Sequence, residues 1–172
     1  MKTLITSVHK LLLFRLNLVI YFLAFTIPVV ISHPQWIVGT VINCLLYLTA
    51  ERLSEKSILP VVVLPSLGAI IYGVLFGPQT VFLYYFLPFI WLGNYTLIKI
   101  FVLTKNQNFF LRTVFASSAK FLLLFSFAKI YFGFQIVPQL FVTSMGIVQL
   151  VTALAGGILA YFILQFSKSK YE

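Results

Sequence analysis

The chain has no aspartate, three glutamates, one cysteine and only 9% charged residues over 172 positions. Each shortage removes a class of function. Proton or sodium coupling within a membrane ordinarily uses embedded carboxylates, whereas the glutamates here lie at a polar interruption, Glu51 and Glu55, or at the last position, Glu172. That counts against an independent ion-driven transporter. Cys44 has no partner for a disulfide and sits in an apolar run, where a lone cysteine behaves as a small hydrophobe. The two histidines, His9 and His33, fall at opposite ends of the first apolar stretch, so no pair is placed to hold haem or a metal at mid-membrane. No GxxxxGK[ST] phosphate loop is present, so ATP hydrolysis by that route is not expected. No cofactor is implied.

What the chain does have is apolar length. With 61% hydrophobic residues it departs from the profile of a soluble domain, and a separate soluble domain does not fit beside its apolar stretches. A transmembrane helix needs roughly 20 apolar residues. Six such spans are expected, at about 11–31, 35–53, 58–76, 79–104, 109–132 and 139–166, making residues 1–172 a single all-α transmembrane domain. Ser32-His33-Pro34 and Gly77-Pro78 mark turns, and Pro88, lacking an amide hydrogen, is expected to bend the fourth span. The amino end resembles a secretory signal, but Arg15 interrupts it and no small-residue cleavage site follows, so an uncleaved first span is expected.

Positive charge alternates between the ends of these spans. It collects at Lys2, Lys10 and Arg15, at Arg52 and Lys56, at Lys99, Lys105 and Arg112, and at Lys168 and Lys170. The connections Ser32 to Trp36, Gly77 to Gln79 and Gly133 to Gln139 carry no Lys or Arg. By the positive-inside rule this predicts a multi-pass protein of the cell membrane with both termini cytoplasmic. A net charge of +9 also suits nucleic acid, but nearly all of it lies at the expected inner helix ends, where it sets topology and meets anionic lipid. The expected partner is the lipid bilayer, not nucleic acid.

An ionisable side chain at the bilayer centre costs a few kcal/mol or more, so one that persists should face a protein interior or a watery cavity. Lys120 is that residue, about 11 residues from either end of the fifth span. Counting about 1.5 Å per residue from the outer ends puts Lys120 near 18 Å, Asn94 near 21 Å and Gln149 near 15 Å. Three spans thus bring polar groups to similar depth, with no acidic residue there to pair with the lysine. The amine is either a structural group satisfied by amides and carbonyls, or one that faces a ligand such as a carboxylate. Trp91, three residues before Asn94, shares its helical face. Tyr84 and Tyr85, in the outer third of the fourth span, suit either stacking on a flat ligand or the interfacial aromatic belt. Ser117 and Ser118 lie on the same helix as Lys120, which makes a Ser-Lys nucleophile awkward, so no enzyme is expected. Small residues recur at helical spacing in the third span (Ser66, Ala69, Gly73) and the sixth (Ala153 with Gly157, Gly156 with Ala160). They serve packing within the bundle or docking to another membrane subunit.

Taken with size and topology, Pro88 to Asn94 in the fourth span, Lys120 in the fifth and Met145 to Gly157 in the sixth resemble the membrane-embedded substrate-binding S components of energy-coupling factor (ECF) transporters. The resemblance implies capture of a vitamin, related micronutrient or other small molecule on the outer side, with an anion among the candidate substrates. It also implies two kinds of partner, a transmembrane T component and ATPase subunits that drive uptake. Asn94, Lys120, Gln149, Trp91, Tyr84 and Tyr85 would then form the substrate site. The family's first span typically carries an Ala-xxx-Ala pair for docking, and this one has only Ala24 between Leu16 and Ile31. The competing expectation is a non-transporting membrane scaffold that binds other membrane proteins through its small-residue faces.

Overall fold

A computed structural model describes residues 2–31, 34–53, 57–73 and 77–169. Side chains are described from Arg15 onward, except at 72, 77–79 and beyond Ser167. The described chain is all helical, without strands. Helix α1 runs Lys2–Val30, α2 Gln35–Arg52, α3 Ile58–Tyr72, α4 Leu83–Leu103, α5 Phe109–Gly133, α6 Gln139–Met145 and α7 Ile147–Ser169. A 3-10 turn, Gly77–Phe82, leads into α4.

The helix ends follow from local chemistry. Pro34 and Pro138, both with extended backbone, precede α2 and α6, where a missing N–H costs nothing. Asn108 caps α5, its Oδ1 accepting from the Leu111 N–H at 2.8 Å. Helix α3 stops at Gly73, whose φ of 61° is the left-handed stop that glycine adopts without strain. The Thr80 hydroxyl then donates to the Gly73 carbonyl at 2.8 Å, tying the turn before α4 back to the end of α3. Pro28, Pro65 and Pro88 lie within α1, α3 and α4.

The expected sixth stretch is two helices. Gly146 (φ −97°, ψ −113°) breaks it, and a Cβ there would fall 2.8 Å from the Phe125 ring of α5. Only glycine lets the chain pass that ring with this backbone. Likewise α1 is one helix from Lys2, and the segment expected to begin at 79 enters α4 through the 3-10 turn.

Three segments, Thr80–Leu103, Phe109–Gly133 and Gln139–Ser167, are long and apolar enough to cross a membrane, and Arg15–Val30 and Ile58–Ile71 are shorter apolar helices. The outer surface agrees with that chemistry. Phe22, Leu59 and Leu103 are 67%, 70% and 75% exposed, while Asn43, Asn94 and Lys120 are buried. Water would penalise such an arrangement on both counts.

Within the bundle α2 packs on α7, α4 on α5, and α1 chiefly on α3. Two apolar clusters result. One joins Leu46 and Tyr47 of α2 to Val61, Leu97, Phe101 and Ala153. The other joins Phe86 of α4 to Leu124, Ala128, Phe141 and Met145, with the Phe86 and Phe141 rings stacked at 5.4 Å. A polar layer lies between them.

Candidate functional site: a buried lysine at the floor of a cavity

Lys120 occupies the middle of α5 and is 3% exposed. Its Nζ donates to Asn43 Oδ1 at 2.7 Å and to Asn94 Oδ1 at 2.8 Å, which joins α5 to α2 and α4. Both amides are oriented by the rest of the bundle. Asn43 Nδ2 donates to the Gly39 carbonyl at 2.8 Å and to Thr152 Oγ1 of α7 at 3.3 Å. Asn94 Nδ2 donates to the Val62 carbonyl of α3 at 3.0 Å. With each NH2 group engaged, each amide oxygen is left turned toward the amine. Five helices thus meet in one hydrogen-bonded layer.

Above this layer is a cavity of about 90 Å³. A single water needs only about 10–15 Å³ by the same kind of measure, so several waters or a compact molecule fit. Its polar lining is Gln35, Asn43, Ser66, Asn94, Lys120 and Gln149, and apolar walls come from Val38, Ile42, Leu83, Ile90 and Met145. The Gln149 amide, in the first turn of α7 just past the Gly146 break, makes no hydrogen bond to the described protein. Ser144 Oγ donates to Gln35 Oε1 at 3.4 Å, a long contact, and the Gln35 NH2 group has no acceptor among the described residues.

Below the layer the bundle is closed. Tyr47, Leu97, Ile98 and Phe101 are fully buried. The Tyr47 hydroxyl shares a 2.8 Å hydrogen bond with Ser117 Oγ, so Ser117 is engaged away from Lys120. One turn farther, Arg112 Nε donates to the Phe101 carbonyl at 3.0 Å, its guanidinium lies 3.8 Å from the Phe101 ring centre, and it pairs with Glu51 at 2.6 Å. Arg112 and Glu51 lie eight residues from Lys120 and Asn43 on their helices, about 12 Å along each axis.

The cavity brings together Lys120, Asn94 and Gln149, the three residues that depth counting set at one level. Trp91 stands beside it: its indole Nε1 donates to Ser66 Oγ at 2.7 Å, and Ser66 donates to the Val63 carbonyl at 2.9 Å, fixing α4 to α3. Tyr84 and Tyr85 are 56% and 53% exposed and do not line the cavity. Asn43 is the residue sequence reasoning missed. It stands eight residues into α2, about 12 Å deep by the same count, so the signal was present. Glu55, Glu172, His9 and His33 lie outside the described side chains.

Comparison with protein-family models, curated proteins and solved structures finds no match to this chain.

Proposed function

We propose that this chain is a six-pass membrane protein, both termini cytoplasmic, that captures a small molecule from the outer side. In this reading it is the substrate-binding subunit of an importer of the energy-coupling factor kind, driven by a separate T component and ATPases. The observation that carries the reading is the cavity. It lies in the half of the bundle bounded by the connections after α1, α3 and α5, the connections that lack Lys and Arg, and is sealed below by the packed layer around Tyr47 and Phe101. A polar recess inside an apolar bundle costs stability, which a binding function accounts for.

The scaffold reading uses the small-residue faces of the third and sixth spans, and the small residues of α7 pack within the chain. Ala153 and Ala160 are fully buried, Gly156 abuts the α2 backbone at Cys44 and Thr40, and Gly157 abuts Thr113 of α5. Ala24 of α1 is also fully buried, in the cluster that holds Val61 and Val62 of α3. Docking to a T component would therefore use a surface other than that alanine.

The test is mass spectrometry of small molecules retained by protein purified in mild detergent, compared with Ala69→Phe, which places a ring in the cavity. Wild type should retain one compound that the variant loses while keeping its melting temperature within a few degrees. A folded wild type that retains nothing, in cells that also show no uptake dependent on the chain, would overturn the proposal.

A further inference from the structure

We infer that the cavity selects a compact monoanion, a monocarboxylate with an apolar body, whose carboxylate meets the Lys120 amine and the Gln149 amide; this rests on the capture reading above. The first ground is charge. An ammonium has three donor hydrogens and a full charge, and Lys120 meets two neutral amide oxygens. Glu51, the carboxylate among the described side chains, is held by Arg112 two helical turns away. Amide oxygens solvate the amine in part but do not balance it, and removing a charge from water costs several kcal/mol unless an opposite charge joins it. The second ground is unspent hydrogen bonding. The amides of Gln149 and Gln35 face the same space, and neither NH2 group has a protein acceptor among the described residues. They supply neutral donors for a carboxylate's remaining lone pairs.

The third ground is asymmetry. Lys120 is the one cation on the described lining, and the rest of that lining is uncharged, with aliphatic walls that include Val38, Ile42 and Leu83. A second carboxylate would have no counter-charge there, so a dianion is disfavoured. A neutral amide would leave the lysine as it is and gain only the hydrogen bonds.

The experiment measures ligand-induced thermal stabilisation and affinity in nanodiscs of zwitterionic phosphatidylcholine, whose bilayer supplies no monoanionic lipid. The probes are butyrate, hexanoate and benzoate, their primary amides, and succinate, with native mass spectrometry of any ligand carried through purification. At least one monocarboxylate, or a copurified monoanion, should bind wild type tenfold or more tightly than its amide and than succinate. That preference should vanish in Lys120→Gln, or in Gln149→Leu if the first variant fails to fold. Acid and amide binding equally, or a copurified ligand without negative charge, overturns the anion assignment and leaves capture standing. Binding of no probe, together with a protein that carries nothing through purification, overturns both.

Discussion

A lysine held by two asparagine oxygens is an unequal partnership, and the inequality can be measured. Replacing Lys120 by Met removes the charge and takes the donor from two carbonyl oxygens; both asparagines border the cavity, where water can replace the amine, so the loss stays near the about 1–3 kcal/mol of a single unsatisfied group. Replacing Asn43 by Leu leaves the amine with one acceptor and also cuts the bond to Thr152, so the cost moves toward the about 3–5 kcal/mol seen when a buried charge loses its partner. Thermal unfolding in detergent should therefore rank Asn43→Leu below Lys120→Met, and the reverse order would mean that the buried amine is uncharged. Depth along an ideal helix was enough to group Lys120, Asn94 and Gln149, because a 1.5 Å rise needs no knowledge of packing. Rotation about each axis is what decides contact. That is why Asn43, embedded among Cys44, Leu45 and Leu46, read as one more residue of an apolar run, and why the outward turn of Tyr84 and Tyr85 was hidden.

Helices α2 and α5 cross-link at three heights: Asn43 with Lys120, Tyr47 with Ser117, and Glu51 with Arg112. The third element of this frame, α7, is admitted by glycines. At Gly157 a Cβ would collide with the Cγ2 methyl of Thr113, so Gly157→Ala should cost about 1–3 kcal/mol through overpacking. Thr113→Ser removes that methyl and keeps the hydroxyl that donates to the Phe109 carbonyl. The double variant should regain part of the loss by thermal unfolding, and strictly additive costs would show that the close approach is not what matters. Helices bounded by turn chemistry were legible: α2 and α5 begin and end within a residue of the stretches read from the sequence. The break at Gly146 was not. A glycine in an apolar run looks the same whether it admits a neighbouring helix or interrupts its own, and the Phe125 ring that makes the difference is remote in sequence. The start of α1 at Lys2 was hidden for a related reason, since polar residues ahead of an apolar run do not reveal whether the helix continues through them.

For the molecule as a whole, the proposed orientation is tested by two exposed positions on opposite connections. In a Cys44→Ala background, Gln135→Cys follows α5 and Asn106→Cys precedes it. A membrane-impermeant maleimide should label the first and not the second in intact cells. Labelling of Asn106→Cys alone would invert the protein and turn the cavity to the cytoplasm. The cross-links join α2, α4 and α5, and Asn94 to the Val62 carbonyl and Trp91 to Ser66 bring α3 into the same frame, whereas α1 rests mainly on α3. Pro28 of α1 and Pro65 of α3 both line the recess. Each proline deletes one backbone hydrogen bond at the level of the cavity. One wall of the recess, α1, is thus a helix held at that height by apolar packing, with no side-chain hydrogen bond among the described residues.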